Sequence, residues 1–143
     1  MTSAESTNAD FVKRVFEDGW NRSEFGFLDG ATATQIPFHY NGSTHVVAHD
    51  SLPGLVQSWR DAFPDLTMVL RHVIAQGDLV AAALTLTGTH QGPWLDHEPS
   101  GATVSVEEMM VFRFDGGVLV EMWEVFDDAG LRSQISRPSA RDS

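Results

Sequence analysis

The sequence predicts an α+β fold in which a curved antiparallel sheet wraps around N-terminal helices and encloses a mostly apolar pocket. Three observations predict it. Helical apolar spacing is confined to two segments in the first half; four long strand-like runs fill the second half; and those runs are joined in pairs by Gly-bearing loops of hairpin length. At 143 residues the chain has the common size of one domain, which buries roughly two-thirds of its unfolded surface in a single core. The domain is read as spanning residues 9–135, with residues 1–8 and 136–143 as loose ends.

From Ala9, the residues Phe11, Val12, Val15 and Phe16 recur at helical spacing, with Asn8 or Asp10 as cap and Gly19 as the end. Ser23–Asp29 reads as a second short helix. Gln35–Asn41 reads as a strand stopped by the turn signal Asn41-Gly42. Asp50–Phe63 is helical, with Ser51 and Pro53 near its start and Leu55, Val56, Trp59 and Phe63 on one face. The strand runs Leu66–Ala75 and Leu79–His90 flank Gln76-Gly77-Asp78, and Ala102–Phe114 and Val118–Asp127 flank Asp115-Gly116-Gly117. A short helix near Asp128–Ile135 closes one end.

Composition excludes several classes of function. There is no cysteine, which removes disulfides, thiolate metal sites and cysteine nucleophiles together. A formal net charge of -11 disfavours nucleic acid or an anionic membrane surface as partner, since both reward clustered Lys and Arg. An uncharged or aromatic small molecule fits better. No run approaches the ~20 apolar residues of a membrane helix, and the polar start Met1–Asp10 lacks a signal-peptide core, which points to the cytoplasm. No phosphate loop, dinucleotide fingerprint or nucleophile elbow is present. Among the six His, His45 and His49 are four apart but flank a polar loop, so no metal site is expected.

Alternate residues of a strand share a face, so the last hairpin can be sorted by parity. Its even face holds Val106, Glu108, Met110, Phe112 and Phe114, then Val118, Val120, Met122, Glu124 and Phe126: apolar except for two glutamates. A three-residue loop at Asp115-Gly116-Gly117 sets Glu108 across from Glu124, where repulsion and burial raise at least one pKa and suit a carboxyl for acid or base work. A two-residue loop shifts the register by one and undoes the pair. The odd face, with Met109, Val111, Leu119, Trp123 and Val125, is costly to leave in water and predicts a homodimer through the sheet. Glu107 and Glu121 on that face are expected to be solvated or paired with Arg113.

His90 shares parity with Val80, Ala82, Leu84 and Leu86 and is expected near the pocket mouth as a proton donor. His72 shares parity with Met68, Leu70 and Ile74, and is a candidate lining residue; His39 beside Tyr40 is a lesser one. Trp94, in Gln91-Gly92-Pro93-Trp94, sits in a loop between long strands where an indole can line or lid a pocket. Trp20 and Phe38 complete the candidate wall.

The chain resembles the SnoaL-like polyketide cyclases, part of the cone-shaped α+β group that includes nuclear transport factor 2. The resemblance rests on Trp20-Asn21, on Trp59 with Ala62-Phe63-Pro64-Asp65, on Gly88-Thr89-His90-Gln91-Gly92, on Ser100-Gly101, and on Phe112-Arg113-Phe114-Asp115-Gly116-Gly117 leading to Glu121-Met122-Trp123-Glu124-Val125-Phe126-Asp127. It implies a cone-shaped α+β barrel and ring closure in an aromatic polyketide by intramolecular aldol condensation without metal or organic cofactor. The family's base is an acid in the last strand, commonly the Asp of a Trp-Asp pair, and the matching position is Glu124. Where the family often places a partner histidine on the preceding strand, this sequence has Met110. Relatives on this scaffold are linked to hydroxylation of anthracycline-type polyketides, so hydroxylation stays open, as does a non-catalytic ligand-binding domain.

Overall fold

The computed structural model describes residues 1–136, so the C-terminal end called loose lies, beyond Ser136, outside the described residues. The N-terminal end is not loose: α1 runs Ser3–Arg14. A capping box starts it, with Thr2 Oγ1 accepting from the Glu5 amide at 3.1 Å and Glu5 Oε1 accepting from the Thr2 amide at 2.7 Å. The other oxygen of Glu5 accepts from the Gly77 amide at 2.8 Å, which ties the helix start to a distant turn. Asn8 and Ala9 are already buried.

Instead of ending at Gly19, α1 continues into a π-helical segment, Val15–Trp20, that buries Val15, Phe16, Gly19 and Trp20. The short helix expected over Ser23–Asp29 is a single 3₁₀ turn, Gly26–Leu28. Next come β1 (Gln35–Tyr40) and β2 (Ser43–Ala48), joined by Asn41 and Gly42, both at positive φ. The segment around His45 read as a polar loop is therefore a strand. α2 spans Leu52–Ala62, and β3 (Thr67–Gln76), β4 (Leu79–Thr89), β5 (Thr103–Asp115), β6 (Val118–Phe126) and α3 (Asp128–Ile135) follow.

The six strands form one sheet in the order β2-β1-β6-β5-β4-β3. All neighbours are antiparallel except β1 and β6, which run parallel. The expected antiparallel sheet is thus mixed, and it is not closed into a barrel. α1 packs on β3 and β4 and α3 on β5. On β5 burial alternates residue by residue, with Val104, Val106, Glu108, Met110, Phe112 and Phe114 all buried.

The motifs that carry the resemblance are mostly joints. The Asn21 side chain brackets Met68 of β3, accepting from its amide at 2.7 Å and donating to its carbonyl at 3.0 Å. Asp65 accepts from both the amide and the hydroxyl of Thr89, and these bonds hold its carboxyl below the usual range. Gly92 lies against the end of α2, where an added Cβ would fall inside the Asp61 carbonyl oxygen, and its amide donates to the Ala62 carbonyl at 3.0 Å.

Candidate active site

Between the helices and the sheet lies a cavity of two lobes that share part of their wall. The first extends toward the β5–β6 hairpin tip and holds about 720 Å³ of free space, counted out to its mouth. Phe11, Val15 and Phe16 wall it from the helical side, and Ile36, Phe112 and Leu119 from the sheet. The second, aromatic lobe holds about 1000 Å³ on the same count and is walled by Tyr40, Trp59, Met68, Leu86 and Phe126. Trp20, Phe38, Val47, Leu55, Glu108 and Glu124 border both, so the two carboxyls stand at the waist.

Glu124 does not lie across from Glu108. Its partner on β5 is Met110, and Glu108 faces Phe126, so the carboxyls are diagonal neighbours on one face. The cause is a two-residue turn combined with a bulge. Gly116 and Gly117, both at positive φ, join Asp115 to Val118, and the ladder then skips Val120 between the pairs Phe114–Leu119 and Arg113–Glu121. The short turn alone would have sent Glu124 to the outer face. The bulge returns it inward, while Leu119, expected outside, is set by the short turn across from the buried Phe114 and is a core residue only 4% exposed.

Neither carboxyl has a hydrogen bond or ion pair among the described residues. Burial pushes Glu124 up to about 7. Burial first, and the charge of Glu124 second, hold Glu108 well above the ordinary carboxylate range. Tyr40 sits beside Glu124 in the β1–β6 register, and burial together with the nearby carboxylates, Glu124 first, raises its hydroxyl to about 12. At neutral pH the waist therefore holds one carboxyl poised between its two states and two groups that keep their protons.

The chain matches the SnoaL-like polyketide cyclase family over residues 10–135. It belongs to that family. No curated protein matches it. Among solved structures, it is similar to a candidate SnoaL-like polyketide cyclase from Jannaschia sp. CCS1, with 26% identity and a TM-score of 0.82 over 96% of this chain and 97% of that one. It is also similar to AclR, a candidate hydroxylase from Streptomyces galilaeus, with 25% identity and a TM-score of 0.77 over 92% and 96% of the two chains. IdmH, a candidate polyketide cyclase from Streptomyces antibioticus, shares the fold at 21% identity and a TM-score of 0.75, over 91% and 99%.

On this SnoaL-like scaffold most expected site residues meet at the cavity. Met110, Phe112 and Met122 line the tip lobe, Phe126 the aromatic lobe, and Trp20 and Phe38 both. Three residues do not meet there. His90 is fully buried away from either lobe, stacked on Phe63 at 5.4 Å, with Nδ1 accepting from the Ser100 amide at 3.2 Å. Burial and the neighbouring His97 hold its pKa low, and it serves as an anchor for the β4–β5 loop rather than as a donor to the waist. Trp94 stands one ring behind the lining, 5.6 Å from Trp59. His72 is exposed because the ladder skips Arg71, which turns His72 to the outer face opposite Ala83.

Sequence reasoning missed Tyr40 as a site residue, along with Val47, Leu55, Trp59 and Thr32 of the wall. Tyr40 had a usable signal: it shares parity with Ile36 and Phe38, which also face inward. Thr32 had none, being one Thr in a segment without periodicity. On the outer face His39 stacks on Trp123 at 5.2 Å and meets Glu121 at 2.7 Å, while Arg113 meets the other Glu121 oxygen at 2.9 Å, the pairing expected for Glu121.

Proposed function

We propose that this protein is a polyketide-tailoring enzyme that closes a ring in an aromatic polyketide by intramolecular aldol condensation, with Glu124 as the base. The observation that carries this reading is a carboxyl, without a partner among the described residues, titrating near 7 at the waist of an apolar cavity. A carbon between two carbonyls is already acidic, and the substrate spreads the resulting charge over its own oxygens. One placed base suffices. Glu124 takes the proton, the enolate carbon attacks the second carbonyl, and the new alkoxide takes a proton from Glu108 or Tyr40. Phe38, Met110, Phe112, Met122 and Phe126 supply flat apolar contact.

Replacing Glu124 by Gln is expected to lower turnover at least about a hundredfold with substrate binding nearly unchanged. Equal activity in that variant removes the role. A pure ligand-binding domain would tolerate the change. The likeness to a candidate hydroxylase favours a second reading. In it the same base ionises a phenol or quinol that then reacts with dioxygen, a partner reductase supplying electrons. Oxygen uptake separates the two, because aldol closure consumes none.

A homodimer through the outer sheet face is part of the proposal. Met109 and Val125, paired across β5 and β6, are 64% and 68% exposed there. Leu119 takes no part in it. No helix among the described residues is long and apolar enough to cross a membrane.

A further inference from the structure

The hydroxyl of Thr32 is buried and has no hydrogen-bond partner among the described residues, and the residue borders the tip lobe. The face on which its side chain stands is fixed by the backbone. Thr32 forms a parallel bridge with Leu119, and the residues on either side clamp that strand: the Leu119 amide donates to Ala31 O, and the Ala33 amide to Leu119 O, both at 2.9 Å. Bridge partners share a face, and Leu119 faces the core.

The other polar residues of this lobe are otherwise engaged. Ser51 Oγ donates to the Ala48 carbonyl at 2.7 Å, His49 is exposed near Thr34 O, and the two glutamates stand at the waist. Four ladder steps separate Met110, opposite Glu124, from Phe114, opposite Leu119. At the rise of a strand that is roughly 13 Å. The tip lobe thus has polar groups at both ends of an apolar trough, the glutamates at the waist and Thr32 near the hairpin tip.

We propose that Thr32 is a specificity-determining residue whose hydroxyl binds a carbonyl or hydroxyl oxygen at the end of a fused-ring substrate remote from the carbon that Glu124 deprotonates. This rests on the reading of the cavity as a site for oxygenated fused rings. A hydroxyl both donates and accepts, so it reads either oxygen type and discriminates against bare hydrocarbon. An orphaned buried hydroxyl is costly to the free protein, and a ligand oxygen relieves that cost on binding.

The test compares 2-hydroxyanthraquinone with anthraquinone by quenching of tryptophan fluorescence. The wild-type protein is expected to bind the hydroxylated probe about tenfold more tightly. Thr32→Val should erase that preference without changing the affinity for anthraquinone, and Thr32→Ser should keep it. The Val variant should melt no lower than wild type, since it removes a hydroxyl that nothing among the described residues satisfies. A preference that survives in Thr32→Val, or an equal loss for both probes, overturns the assignment to Thr32 while leaving the role of Glu124 intact. Failure of both probes to bind saturably overturns it together with the fused-ring reading.

Discussion

A carboxyl works as a base at neutral pH only if something weakens its acidity, and at residue 124 that something is the loss of water. Turnover should therefore rise as pH passes about 7 and Glu124 ionises, a limb that vanishes in Glu124→Gln. The proposal gives two proton donors, Glu108 and Tyr40, so Tyr40→Phe is expected to slow turnover by about tenfold rather than abolish it. Steady-state rates across pH for the two variants check both statements. At this scale the sequence was informative about type and less so about place. Two glutamates on an apolar stripe announce a perturbed pair, but whether they lie opposite or diagonal depends on a turn length that Asp115-Gly116-Gly117 leaves open. His90 shows the converse: parity found its burial correctly, while its distance from the cavity is a property of how α2 and the β4–β5 loop pack around it.

Strands are where periodicity misleads, since one skipped residue exchanges the faces of everything beyond it. Arg71 did this to His72, and the skip at Val120 puts Leu119 and Glu124, of opposite parity, on one face. Neither skip has a signature residue. β2 was missed because its exposure hardly alternates, Ser43–Ala48 being an edge strand exposed almost throughout. Joints between elements give two predictions. Asn41 brackets Phe126 by accepting from its amide at 2.9 Å and donating to its carbonyl at 3.0 Å, which pins the β1 turn beside the strand that carries Glu124. Asn41→Ala should destabilise by about 1–3 kcal/mol in denaturant unfolding. Gly92→Ala should lose a comparable amount, about 1–3 kcal/mol, because the new methyl meets the Asp61 carbonyl rather than a side chain that can move.

For the whole molecule, the buried pair links stability to pH. A carboxyl whose folded pKa is raised favours the protonated native state. Its contribution is complete below the usual value of 4.5 and is lost as pH climbs through about 7 for Glu124, with the loss from Glu108 continuing above. Asp65 and Glu121 are shifted downward, so their contributions fade only in acid. His90, shifted downward as a base, acts oppositely and loses stability as pH falls through its range. Subtracting the Glu108→Gln/Glu124→Gln double variant isolates the pair: wild type should gain stability relative to it as pH drops from 8 to 5, read as a difference in melting temperature. Light scattering at micromolar concentration checks the proposed dimer, a purely monomeric species counting against an outer-face interface. The domain as a whole was legible because helices and hairpins are local, whereas the open edge and the parallel β1–β6 contact join segments some eighty residues apart in the chain.

The residue skipped at 120 makes chain length, as much as residue identity, an off-switch for the chemistry. One residue added beyond Glu121 would rotate the carboxyl out to bulk solvent with every side chain of the original set still present. One added within Gly116-Gly117 would leave the rungs beyond it untouched. Tolerance to length change should thus be sharply lopsided along this hairpin, and grafts that exchange its tip between relatives have their safe cut before Val118.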